Sequence, residues 1–222
     1  MLQVKVEADR IWLGERLAVS LQRTLRIPDD GREYPLPPGL GRFPVHRAAD
    51  YADRVPAAWN QPHAFFIPMY QREALWLSFS AAFWKPNAVK VGVGEINAIS
   101  GAAWALDLHS EPQDYMVCPP QPWLDGINAG DAYIRQFVAM PLGQGYTIES
   151  HLTGVERIGG IQIQVYDPLP GRFPDQPPVP PPAPMASAGG TYRARGGAAQ
   201  EMGIAAGGKM KQRIYPDPHG ID

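Results

Sequence analysis

The sequence predicts a mainly β protein: one antiparallel β-sandwich or jelly-roll-like domain over residues 1–168, with long Pro-rich loops. A Pro/Gly/Ala-rich linker over 169–200 and a C-terminal tail over 201–222 follow. Three observations carry that expectation. Apolar residues recur at period two in several short runs, the spacing of a strand whose successive side chains face opposite sides of a sheet. Glycine (23) and proline (25) make up roughly 22% of the chain where about 12% is usual, which excludes a helical bundle, a coiled coil or long amphipathic helices. Hydrophobic residues at 45% against 19% charged are enough for a packed core.

Leu2, Val4 and Val6 alternate, and so do Leu17, Val19, Leu21, Leu25 and Ile27, interrupted by Arg23. A helix over 17–27 would scatter Arg16, Gln22, Arg23 and Arg26 round its circumference, so a strand is preferred. Pro28-Asp29-Asp30-Gly31 predicts a turn, because Pro presets φ and Gly supplies φ > 0. Residues 34–44 hold four prolines. Proline donates no N–H to a ladder, so this stretch reads as an apolar strap across a sheet. A short helix is a candidate at 48–55.

Strands are expected at 64–67 and 75–80, with a helix opening at 71–76 as the alternative to the latter. After a turn at Lys85-Pro86-Asn87, another strand is expected at 88–94. Residues 115–118 form a short strand ended by Pro119-Pro120. Residues 133–140, 146–152 and 160–166 read as an antiparallel meander, with Ile161, Ile163 and Val165 on one face and Gln162 and Gln164 on the other. Residues 168–184 contain nine prolines, which favours polyproline II. Residues 185–208 are Ala/Gly-rich, and 209–215 are expected to be a strand or an anchoring tail.

The formal net charge of -2 argues against a protein devoted to nucleic acid. The body is mildly acidic and the tail mildly basic. Cys118 is the one cysteine, so no intramolecular disulfide is available. The N-terminus alternates and carries charge, unlike a secretory leader, and no apolar run approaches about 18 residues, so no membrane span is expected. The expected location is the cytoplasm, with leaderless export as the alternative. The turn-like end, Pro216-Asp217-Pro218-His219-Gly220-Ile221-Asp222, is also compatible with a C-terminal truncation.

Several residues invite a chemical reading. Gly92-Val93-Gly94 begins like a dinucleotide fingerprint, but Asn97 stands where the third glycine belongs and no helical pattern follows. Glycines at a bulge or close approach are the simpler reading. Gly207-Gly208-Lys209 lacks the flanking pattern of a phosphate loop. Asp107, His109 and Glu111 at period two would put an imidazole and carboxylates on one strand face, a set zinc accepts. An exposed loop ending at Pro112 is the structural reading. Cys118 is a candidate nucleophile, with Asp114 and His109 or His151 as helpers. A buried structural cysteine is preferred, since free cysteines mostly behave as small hydrophobes.

The most unusual stretch is 113–127, a Pro-rich arm that presents Trp123 beside Asp125 and Gly126. A tryptophan with carboxylate and amide neighbours suits stacking on a sugar or an aromatic ligand, which makes Tyr115, Trp123 and Asp125 the candidate binding residues. The preferred alternative is that Trp123 plugs one end of the sandwich and Asp125-Gly126 forms the next turn. Arg72 and Arg135 sit in apolar surroundings, so each is expected to pair with Glu73 or Glu95, as a structural ion pair in preference to a substrate clamp.

The segments QDYMVCPPQPWLDGI (113–127), IRQFVAMPLGQGY (134–146) and MGIAAGGKMKQRIYPDPHGID (202–222) resemble an uncharacterised family of microbial proteins. The resemblance implies that the tail belongs to the family's pattern and that members continue past Asp222. It implies no activity.

No catalytic constellation stands out from these candidates. The expected function is therefore a non-enzymatic binding or assembly module, acting through contacts with a protein partner or by self-association through strand addition. The alternatives are a cysteine-dependent enzyme using Cys118, and a carbohydrate- or metal-dependent recognition domain built on Asp107, His109, Trp123 and Asp125, with a glycan as ligand. No cofactor is expected.

Overall fold

The computed structural model describes residues 2–28, 30, 32, 34, 37–128, 130, 134–179, 214–217 and 220. The expected turn at Pro28-Asp29-Asp30-Gly31 in part, the Ala/Gly-rich stretch 185–208 and the patch 209–213 lie outside the described residues. In chain order the strands are β1 (Val4–Glu7), β2 (Arg10–Leu13), β3 (Leu17–Thr24), β4 (His46–Arg47), β5 (Phe65–Phe66) and β6 (Ala74–Ala81). They continue with β7 (Asn87–Val93), β8 (Ile96–Asn97), β9 (Met116–Cys118), β10 (Trp123–Leu124), β11 (Gly126–Asn128), β12 (Ile134–Val138) and β13 (Ile161–Tyr166). One α-helix, α1 (Ile148–Thr153), and two 3-10 turns at Ala48–Tyr51 and Ala57–Trp59 are the helical pieces among the described residues.

The strands form two main sheets and a small one. The larger runs β1-β2-β3-β6-β12-β11, with β10 also beside β6. The second runs β13-β7-β8, with β9 also beside β7, and β4 pairs with β5. All these pairings are antiparallel. The register of β3 on β6 places Leu17, Val19 and Leu21 opposite Ala81, Phe79 and Leu77. Period two then sends this set to one face, where it meets Val89, Val91, Met116 and Cys118 of the other sheet in a shared core. Ile161, Ile163 and Val165 pack on that core from β13.

Arg23, which breaks the alternation of β3, is accommodated by an ion pair. Its Nε donates to Glu73 Oε1 at 2.6 Å, and its guanidinium lies 4.3 Å from the Phe43 ring centre. Arg72 and Arg135, expected to need such partners, are instead exposed. The Pro-rich strap runs along β3 beyond the end of β2. Leu40 N–H donates to Arg23 O, Arg23 N–H to Gly41 O and Phe43 N–H to Leu21 O, at 2.8–2.9 Å. The prolines lie outside these bonds, and Phe43 is fully buried.

The expected meander does not form. Residues 146–152 were expected as its middle strand, but α1 takes up 148–152, and β12 and β13 belong to different sheets. The physical reason is local. Thr147 Oγ1 accepts the Ser150 N–H at 3.1 Å as an N-cap, and Gly154 at φ 74° closes the helix. The buried Glu149 carboxylate accepts the N–H groups of Arg157, Ile158 and Gly159 at 3.0–3.2 Å. Of residues 125–126, expected as a turn, Asp125 alone separates β10 from β11, and Gly126 opens β11.

The glycines at 92 and 94 are sites of close approach. A Cβ on Gly92 would stand 2.6 Å from the Trp104 ring, and one on Gly94, at φ +61°, would stand 2.4 Å from Glu149. Beyond β13 the chain stays on the body. Asn87 Nδ2 donates to Asp167 at 2.8 Å, Arg16 bonds the same carboxylate, and Lys85 pairs with Asp175 at 2.7 Å. No helix among the described residues is long and apolar enough to cross a membrane.

Candidate functional site

The loop leading into β9 is fixed from beneath by Lys90 of β7. Its ammonium is fully buried. It donates to Asp114 Oδ2 at 2.8 Å and to Asp107 O, and it lies 5.7 Å from the Trp104 ring centre. His109 Nδ1 is also 2.8 Å from Asp114 Oδ2, and the His109 N–H donates to Asp114 Oδ1 at 3.0 Å. Burial alone would raise the Asp114 pKa. The hydrogen bonds from Lys90 and His109 outweigh it and hold the carboxyl below its usual range.

The sequence-derived candidates Asp114 and His109 therefore meet, and Cys118 and His151 do not join them. Cys118 is fully buried in the sandwich core, where burial pushes its thiol pKa far up. A thiol in that setting is neither accessible nor ionised, as attack on a substrate requires. His151 is exposed on α1. Among the described residues, the hydrogen-bond partner of His109 is Asp114 rather than a thiol or hydroxyl. Asp107 contributes its backbone carbonyl, not its carboxylate, to the Lys90 cluster. No three His, Cys, Asp or Glu side chains among the described residues converge to hold a metal ion.

On either side of Asp114, three side chains, of Gln113, Tyr115 and Gln121, hold residues 214–217. Gln113 Nε2 donates to Tyr215 O at 3.1 Å, and Gln113 Oε1 accepts the Asp217 N–H at 3.2 Å. Gln121 Oε1 accepts the Tyr215 N–H at 3.1 Å. The Tyr115 hydroxyl donates to Asp217 Oδ2 at 3.0 Å, and Ile214 packs on the sandwich core. The backbone groups engaged belong to residues i and i+2, which share one edge of an extended chain. One primary amide thus does for this segment what a neighbouring strand's peptide group does in a ladder. Pro216, which has no N–H, falls at the position whose backbone groups face away from that edge.

The two glutamines are themselves fixed. Gln113 Nε2 also donates to Tyr115 O at 2.8 Å, and Gln121 Nε2 to Trp123 O at 3.0 Å. Gln121 and Tyr115 are buried. Sequence reasoning singled out this stretch and named Tyr115 but missed both glutamines. The available signal was a pair of amides flanking an apolar strand and a proline cluster, where a buried amide must find backbone partners.

Trp123 and Asp125 are bonded to one another: the Trp123 side chain hydrogen-bonds the Asp125 carboxylate, and Trp123 is half-buried. Asp125 is 5% exposed, and its Oδ1 has no hydrogen-bond partner among the described residues. Burial raises its pKa to about 7, against the opposing effect of the Trp123 bond. A separate aromatic cluster, not singled out from sequence, gathers His46, Tyr51, Trp59 and Phe66 around the small β4–β5 sheet.

No protein-family model, no curated protein and no solved structure matches this chain.

Proposed function

We propose that this protein is a non-enzymatic binding or assembly module that acts through protein–protein contacts by receiving an extended peptide segment. One observation supports the reading above the others: Gln113 and Gln121 engage backbone groups of residues 214–217. Recognition of main-chain groups with one apolar anchor is the logic of strand addition. The anchor here is Ile214, and the Tyr115–Asp217 bond adds a side-chain preference. The enzyme alternative loses its nucleophile to the burial of Cys118.

The test is a titration. A full-length chain carrying Ile214→Asp and Tyr215→Pro loses the apolar anchor and the N–H that Gln121 accepts. A synthetic peptide of residues 209–222 is then added and followed by calorimetry and by the Gln side-chain amide signals. Saturable binding with a Kd of about 10–1000 µM is expected for so short a segment. No response of the Gln113 and Gln121 amides at millimolar peptide, in a folded protein, contradicts the proposal.

A further inference from the structure

We infer that the groove formed by Gln113, Tyr115 and Gln121 takes the 214–217 segment of a second copy of this chain, so that copies assemble by tail exchange. The inference rests on the peptide-recognition reading above and names the partner. Three observations carry it. The body holds residues 214–217 through hydrogen bonds with Gln113, Tyr115 and Gln121 and through Ile214 on the core. The recognition surface and its occupant are therefore two separate parts of one sequence. Thirty-four residues lie between Val179 and Ile214, nineteen of them Gly, Ala or Pro. A stretch of that length reaches up to about 110 Å when fully extended, far beyond the width of one body. The tail is also mildly basic and the body mildly acidic, which favours the approach of one copy's tail to another's body.

The geometry is the same whether the tail comes from its own body or from another, because main-chain recognition carries no mark of chain identity. What differs is concentration. A tail on its own tether meets its groove at an effective concentration of order millimolar, which sets the threshold above which exchange competes. Reciprocal exchange between two copies fills both grooves and closes the assembly, whereas one-way exchange leaves an open chain of copies.

The experiment disables the intramolecular contact in two different full-length variants and mixes them. The tail variant, Ile214→Asp with Tyr215→Pro, keeps an intact groove. The groove variant, Gln113→Ala with Gln121→Ala, keeps an intact tail. Native mass spectrometry at about 100 µM should show a one-to-one heterodimer at least about tenfold more abundant in the mixture than any dimer of either variant alone. If circular dichroism shows the groove variant unfolded, isotopically labelled wild-type chain replaces it as tail donor at chain concentrations above about 1 mM, where exchange competes with its own tail, with the same expected heterodimer. Absence of heterodimer with a folded donor overturns the inference. Dimerisation of the tail variant alone overturns it too, since the interface then lies elsewhere. The peptide titration, run in parallel, separates the two ideas. Peptide binding without heterodimer leaves the groove a peptide site served by its own tail, and loss of both removes the proposed function as well.

Discussion

The side-chain carbonyl of Gln121 accepts the backbone N–H of Tyr215 at 3.1 Å, joining positions 94 apart in sequence. The same amide donates to Trp123 O at 3.0 Å, so one glutamine ties the tail to the start of β10. Gln121→Ala removes both of these bonds to part-buried backbone groups. It should lower stability in urea by about 1–2 kcal/mol. Trypsin should also release the tail at Arg213 faster than in the wild type.

Asp125 predicts a pH dependence with a definite sign. Its folded-state pKa of about 7 lies above the ordinary 3.8, so between those values the folded chain binds the proton more tightly than the unfolded chain. Stability therefore falls as pH rises from about 4 to 7, by an amount on the order of 4 kcal/mol, and levels off above. Asp114 acts in the other direction and in another window. Its lowered pKa adds stability that is lost only as pH falls below the usual carboxylate range. Asp125→Asn should thus be more stable than wild type at pH 8 and should lose much of the slope between about pH 4 and 7. Thermal melts across that range provide the check, and an unchanged slope would refute the assignment.

The Lys90–Asp114 pair is buried, so removing one partner strands the other. Asp114→Ala should cost about 3–5 kcal/mol. Replacing Lys90 with methionine and Asp114 with asparagine together should cost less than the single change. A double-mutant cycle in denaturant measures the difference.

Cys118 should behave as part of the core. Folded protein should alkylate with iodoacetamide at pH 8 at least about a hundredfold more slowly than protein in urea, because burial removes both access and thiolate. Equal rates would place the thiol at the surface and revive the nucleophile reading.

Gly94→Ala should be among the most damaging single-methyl additions, since the new Cβ meets Glu149 at 2.4 Å and the backbone sits at φ +61°. A loss of about 2–4 kcal/mol is expected from the clash and the strain together. Gly154, also at positive φ but with open space around it, should tolerate alanine better.

The fold class was legible because period-two alternation in β1, β3, β7 and β13 reports directly which side of a sheet each residue faces. Alternation says nothing about which strand is the neighbour. Strands β12 and β13, adjacent in sequence and similar in pattern, therefore looked like one meander although they belong to different sheets. The helix between them is short, and its signals, Thr147 at the N-cap and Gly154 at the end, are local hydrogen-bonding devices hidden within an apolar run. At the site, Asp114 and His109 stood out as polar, chemically capable groups near an apolar strand. The Lys90 that joins them was hidden because its position within a strand reads simply as an outward-facing polar residue. Gln113 and Gln121 were missed for a related reason. Their partners are backbone atoms of residues about a hundred positions away, and no side-chain pattern encodes those.

The most direct test of the central claim, that the body recognises the main chain of an extended segment, is amide hydrogen exchange at Tyr215 and Asp217 by NMR. Both N–H groups are held by glutamine carbonyls, so both should exchange at least about tenfold more slowly than in a free peptide of the same sequence. The Gln113→Ala and Gln121→Ala variants should each lose that protection at the amide they serve, Asp217 and Tyr215 respectively. Exchange at the free-peptide rate in the wild-type chain would contradict the account.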